Sequence, residues 1–189
     1  MIRIALMATL LFSFLIATDA IGQAPSDHLA MLTAGENRNT SKTTADWDKL
    51  LGEWEFVVER IGPSGAVVGK SEGTWNIFYV LDGLVVQDVF KMTTPAGDIF
   101  QFVGLRIFDE STNKWQQVTI DNSDKRLELA EGISNEETIR LNYSHYTGAE
   151  LRGTFFNISK DGFTWKQEKL DKQTGTWNMG MRLTAKRKR

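Results

Sequence analysis

The chain has 189 residues, 41% of them hydrophobic and 24% charged, with a formal net charge of -2; that is the profile of one globular domain with room for a substantial core. Lys and Arg are mixed with Asp and Glu along the chain, so no basic footprint for nucleic acid is present and no nucleic-acid partner is expected. Cys is absent, which excludes a disulfide scaffold, a Cys-based metal site, a thiol nucleophile and a lipid-modified Cys.

Residues 1–24 read as a signal peptide. Arg3 supplies a positive start, residues 4–17 are apolar but short for a bilayer span, and small residues follow. Cleavage is expected near Ala24, giving a secreted or periplasmic protein; an uncleaved anchor helix is the alternative. Residues 25–43 are polar and read as a flexible leader. A helix is expected next, with Thr44 as its cap, Asp46 in its first turn, and Trp47, Leu50 and Leu51 on one face. Gly52 stops it.

From Trp54 the apolar spacing turns to alternation. Strands are expected over 54–61, 66–79, 84–93, 99–108, 115–121, 126–130, 138–144, 150–159, 163–170 and 177–185, with Gly69 and Gly73 as bulges in the second. Tight polar or Gly-bearing turns separate them, and no helical insert interrupts the series. Ten strands joined by hairpins predict an all-β, antiparallel up-and-down barrel with a short N-terminal helix, spanning 44–187. Closure removes the two edges that an open meander would expose.

Period-2 bookkeeping sorts the faces. Trp54 travels with Phe56 and Val58, Trp75 with Ile77 and Tyr79, and Trp115 with Gln117, Thr119 and Asp121. Trp165 travels with Phe163 and Gln167, and Trp177 with Met179, Met181 and Leu183. Opposite faces carry Glu55, Glu59, Lys166 and Glu168, so the Trp side is expected inside. Aromatics mixed with polar groups suit a barrel that holds a small ligand, although Phe and Trp could also simply fill it. The fourth strand is apolar on both faces: Phe100, Phe102, Arg106 and Phe108 on one, Ile99, Val103, Leu105 and Ile107 on the other. The leader, the Trp47 helix or a second subunit must cover one side, and self-association into a homodimer is the favoured expectation.

Leu51-Gly52-Glu53-Trp54 after a short helix resembles the Gly-x-Trp signature of lipocalin and calycin barrels. Leu81-Asp82-Gly83, Gly104 to Asp109 running into Lys114-Trp115, Arg152 to Phe155, Phe163 to Glu168 and Leu183 to Arg187 are similar to a bacterial lipocalin-like domain family of unknown function. The resemblance implies a closed barrel with an internal pocket, and no reaction. It also implies a late basic residue across the Gly-x-Trp ring, for which Arg182 or Lys186 is the candidate. The related nitrobindin-type barrel binds haem through a His; here His28 lies in the leader and His145 at a turn, so no cofactor is expected.

No G-x-S-x-G, H-E-x-x-H, Walker or G-x-G-x-x-G motif occurs, and no catalytic or metal-binding residue is nominated. The first functional reading is an exported barrel binding a small apolar or amphipathic ligand. Trp75, Asp88, Phe90, Phe102, Arg106 and Trp115 would contribute, together with Gln117, Thr119, Arg152, Trp165 and Gln167. The alternative is a calycin-type enzyme acting on a lipid-like substrate through an internal carboxylate/Arg pair such as Asp88 and Arg106. A third reading is an oligomeric scaffold.

Overall fold

A computed structural model describes residues 44–189. The signal-peptide and leader expectations therefore lie outside the described residues. The chain enters through a 3-10 helix, Thr44–Leu50, in place of an α-helix. With three residues per turn, positions i and i+3 eclipse, which stacks Trp47 and Leu50 on one line; both are fully buried.

Ten strands follow: β1 Gly52–Ile61, β2 Val67–Val80, β3 Val85–Thr93, β4 Ile99–Asp109 and β5 Lys114–Asp121, then β6 Leu127–Ser134, β7 Ile139–Ser144, β8 Glu150–Phe156, β9 Gly162–Asp171 and β10 Thr176–Arg187. Each pairs antiparallel with its sequence neighbours, and β1 pairs with β10 to close the barrel. The topology is the expected up-and-down meander. Hairpin turns at 62–66, 94–98, 122–126, 145–149 and 172–175 ring one end. The 3-10 helix plugs the other.

Alternation decides the interior. Trp54, Phe56 and Val58 of β1 are buried while Glu55 and Val57 are exposed, and Trp75, Ile77 and Tyr79 repeat the pattern in β2. Two departures from strict alternation matter. In β10 the pairing with β9 jumps between Met179 and Met181. That bulge leaves Met181 opposite the inward Gln167, but Met179 opposite Glu168. The expected inward run from Trp177 through Leu183 is therefore broken: Trp177 and Met179 belong to the outer face. The reason is the extra residue, since one inserted position inverts every side chain before it. In β2 the register with β1 runs unbroken through Gly73, opposite Phe56, and the irregularity falls near Gly69 instead, between Arg60 and Ile61.

The outer face of β4 is open. Ile99, Val103, Leu105 and Ile107 are all exposed, and the 3-10 helix does not cover them because it is spent inside the barrel end.

Candidate ligand-binding cavity

The plugged end shows why the Gly-x-Trp stretch is built as it is. The Trp54 indole N–H donates to the Leu50 carbonyl at 2.7 Å, tying strand to helix. Trp54 and Arg187 face each other across β1 and β10, and the guanidinium lies 4.1 Å over the indole ring. Arg187 also donates to the carbonyls of Leu51 (2.7 Å), Lys49 (3.3 Å) and Lys160 (2.5 Å). The residue across the ring is therefore Arg187, one position beyond Lys186. Arg182 instead pairs with Glu59 on the outer face at 2.6 Å. Gly52 sits at φ +121, and a Cβ there would lie 2.3 Å from Arg187 Nη1; both the backbone and the cation demand glycine.

Above this, Trp47 packs edge-on against Trp115 and Phe155, with ring centroids 5.7 and 5.4 Å away. Most polar atoms of the plug are matched outward, although the buried Trp47 indole N–H has no partner among the described residues. Tyr79 donates its hydroxyl to Asp48 at 2.9 Å. Trp115 donates its indole N–H to Ser134 at 3.0 Å, and Ser134 in turn donates to Asp46. Trp115, expected among the ligand-binding residues, is thus part of the floor and lies beneath the cavity.

The next layer is a buried ion pair. Asp88 is fully buried and Arg106 is 2% exposed, with Arg106 Nη2 2.9 Å from Asp88 Oδ2. The same carboxylate oxygen accepts from the Trp75 indole at 2.7 Å. Arg106 Nε donates to Gln117 at 2.6 Å, Gln117 donates to Thr119 at 2.8 Å, and the guanidinium lies 4.6 Å over the Trp47 ring. Gly104 makes room for this: a Cβ there would lie 2.2 Å from Asp88 Oδ1. A carboxylate and a guanidinium out of water hold one another's charge in place only when both stay bonded.

Between this layer and the turn end lies a cavity of about 360 Å3. One wall is an aromatic stack, Phe56 on Phe90 on Phe102, with centroids 4.6 and 4.7 Å apart and near-parallel planes. Trp75 meets Phe90 edge-on at 5.3 Å and Trp165 at 6.3 Å. Eight of the eleven sequence-nominated residues line this space: Trp75, Phe90, Phe102, Arg106, Gln117, Thr119, Trp165 and Gln167. Three do not. Trp115 is in the floor. Asp88 stands behind Arg106. Arg152 is on the outer face, where it donates to Glu168 at 2.7 Å and lies 4.3 Å over Trp177. Its misplacement follows from parity: Gly153 and Phe155 are the inward residues of β8, and Arg152 alternates with them.

The strands also bring Met92, Phe100, Glu128 and Tyr143 to the cavity, none of which was nominated. Tyr143 continues the inward series Ile139, Leu141 in β7, so alternation alone could have found it. Glu128 shares its face with Ala130 and Gly132, small residues that hide an inward face from a hydrophobicity reading. Burial pushes the Tyr143 phenol well above its ordinary range and the Glu128 charge adds to this, while a hydrogen bond from Gln167 opposes it. Burial also pushes the Glu128 carboxyl up, with Asp121 and Asp124 acting in the same direction against His145. Asp121 behaves oppositely. Burial would raise it, but hydrogen bonds from the Asp124 and Ser123 backbone and the Ser123 hydroxyl hold it low. A larger concavity of about 1040 Å3 runs along the rim beside β6. Its lining mixes the inward Ala130 with the outward Glu131, so it is an open rim surface and not a second chamber. Among the described residues no cluster of His, Cys, Asp and Glu is placed to hold a metal ion.

No family model matches the chain, and no curated protein matches it by sequence. Solved structures match by shape. The crystal structure of Rv2717c from M. tuberculosis superposes with a TM-score of 0.57 at 12% identity, covering 80% of this chain and 100% of that one. The S-type phycobiliprotein lyase CPES from Guillardia theta superposes with a TM-score of 0.59 at 8% identity, covering 83% and 96%. At such identities the likeness concerns the fold alone: a closed, ten-stranded antiparallel barrel.

Proposed function

We propose that the protein is a small-molecule binder that takes an apolar or amphipathic ligand into the barrel. The observation that carries this is the cavity itself. About 360 Å3 of space lies within the size range of small-ligand sites, and its walls are mostly aromatic and aliphatic with a few polar groups at fixed positions. A barrel filled by its own side chains would have left no such space. One structural neighbour of the same fold is a phycobiliprotein lyase, which is compatible with this reading but contributes nothing about ligand identity.

The test is a titration with N-phenyl-1-naphthylamine, an uncharged apolar fluorophore, followed by energy transfer from the cavity residues Trp75 and Trp165. Saturable binding near one per chain is expected. Thr119→Trp, which places an indole in the lumen, should abolish it without unfolding the barrel. Absence of saturable binding, or unchanged binding in Thr119→Trp, refutes the proposal.

An enzyme working through the Asp88/Arg106 pair is the weaker reading. Asp88 does not line the cavity, and its Oδ2 is already engaged by Trp75 and Arg106. Location outside the cytoplasm is proposed on residues 1–24 alone; N-terminal sequencing of the protein recovered from the periplasm or medium, starting near Pro25, is the check.

A further inference from the structure

Resting on the small-ligand reading, we propose that the cavity selects amphipathic cations, holding an ammonium-type head at the mouth beside Glu128 and the apolar tail against Trp75, Phe90 and Phe102. Three lining residues carry formal charge: Arg106, Asp121 and Glu128. Arg106 has no charge to offer a ligand. Asp88 matches it, Gln117 takes its Nε, and its Nη1 is covered and makes no hydrogen bond. Asp121 is also committed, since its Oδ1 accepts from Ser123 and Asp124.

Glu128 is different. Among the described residues its carboxylate has no hydrogen-bond or ion-pair partner. It stands half-buried at the inner mouth. The charged groups around it come from the end of β5, the following turn and the β7–β8 turn. Asp121 and Asp124 are acidic. His145 is engaged with Asp124 at 3.3 Å and with Thr147 at 2.8 Å. Arg126 is turned outward, 5.0 Å over the exposed Tyr146 ring, and Lys125 is exposed. An anionic head would therefore meet the carboxylates of Glu128 and Asp121 at the inner mouth and of Asp124 beside them, with Lys125 exposed to solvent and Arg126 held over the Tyr146 ring. A cationic head would supply the charge that Glu128 lacks, near the Tyr143 ring, whose face favours cations.

Decyltrimethylammonium, decanoate and 1-decanol share one tail and differ in head charge. Below their micelle concentrations, calorimetric titration at pH 7.5 should show the cation binding about tenfold or more tightly than the anion. Glu128→Gln should remove most of that preference while leaving 1-decanol unaffected, and so should a pH low enough to protonate Glu128. Decanoate binding as tightly as the cation, or a preference unchanged in Glu128→Gln, overturns the inference. If none of the three binds, the small-ligand reading fails and this one falls with it; if 1-decanol binds and head charge makes no difference, only this one fails.

A separate observation concerns the outer sheet face. Register aligns Val89, Val103, Ile120 and Leu127 in one row across β3–β6, and Leu105, Val118 and Leu129 in the next. Ile107 and Ile133 extend the patch, and exposure reaches 67% at Leu127 and 70% at Leu129. No charged residue stands within these rows; the Lys114–Glu131 ion pair marks their border. The exposed apolar residues amount to roughly 800 Å2, above the usual largest patch of a monomer and equal to one partner's share of a standard interface. We infer that a second copy of the chain covers this face, sheet against sheet. Sedimentation equilibrium should show a dimer, and Leu105→Glu with Leu129→Glu should give a monomer of unchanged circular dichroism. A wild-type monomer at all concentrations, as when another segment of the chain covers the face, or a dimer indifferent to both substitutions, refutes it.

Discussion

Asp88→Asn is the most informative single change in the barrel. It preserves shape and removes one charge. Arg106, 2% exposed, would be left with Gln117 and the Trp47 ring as neutral partners, and Trp75 would lose a charged acceptor for its indole N–H. Removing one partner of a buried pair costs about 3–5 kcal/mol, because the survivor's desolvation is no longer offset. For a domain near this size each kcal/mol corresponds to about 2–4 °C, so Tm should fall by about 6–20 °C. With a urea m-value of about 2 kcal/mol/M, the unfolding midpoint should move by about 2 M. Tryptophan fluorescence reads both. The control is Asp88→Leu combined with Arg106→Met, which removes both charges at similar volume and should lie within about 1.5 kcal/mol of the wild type. An Asp88→Asn loss below about 1 kcal/mol, or a double variant as unstable as the sum of its parts, would show that the pair is not the electrostatic unit described above.

Three further outcomes are expected. Gly52→Ala should cost about 1–3 kcal/mol, more than Gly97→Ala, whose Cβ meets nothing within 4 Å; equal losses would remove Arg187 from the explanation of Gly52. Arg187→Met should cost about 1–3 kcal/mol and speed amide exchange in residues 47–51 while leaving the mouth strands unchanged; uniform exchange would contradict a local role. Glu168 has a lowered pKa because, although burial opposes it, Arg152 and Lys166 hold its charge. Its stabilisation is therefore present above the ordinary value of 4.5 and lost as pH falls through the lowered one. Glu168→Gln should destabilise by about 1 kcal/mol at pH 7 and converge with the wild type in acid; a gap that persists in acid would mean packing and not charge.

The strand series was legible because each strand alternates and each turn carries its own chemistry. At Leu81-Asp82-Gly83, for instance, all three residues take positive φ (51, 54 and 90) in a hairpin. The inward set was legible wherever alternation ran unbroken, as for Trp75, Phe90, Phe102 and Trp165. It failed where one residue broke phase. The bulge before Met181 is invisible in the apolar run Trp177, Met179, Met181, Leu183, since every member suits an interior. Arg152 is a different case: its charge suits a ligand site, whereas parity with the inward Gly153 places it outside. Glu128 was hidden by small neighbours, and Arg187 by falling one residue beyond the Lys186 considered for the ring.

The arrangement along the barrel axis separates two kinds of polar group. At the plugged end the Trp54 and Trp115 indoles, the Tyr79 hydroxyl and the facing atoms of Asp88 and Arg106 have partners, while Trp47 Nε1, Asp88 Oδ1 and Arg106 Nη1 are buried without one among the described residues; Trp54, Trp115, Asp88 and Arg106 serve the fold. Toward the mouth the matching loosens: Gln167 and Tyr143 satisfy each other, Asp121 satisfies its own turn, and Glu128 has no partner among the described residues. Burial cost is highest where a charge is deepest, so the deep Asp88 carboxylate keeps one oxygen bonded, and the carboxylate with neither oxygen bonded, Glu128, stands near the opening. That gradient argues that stability and ligand choice reside in different residues of one barrel. Changes at Asp88 or Arg106 should then move the unfolding midpoint first, and changes at Glu128 should move head-group preference with little effect on it. If Glu128→Gln shifted the midpoint as far as Asp88→Asn, the division between floor and mouth would not hold.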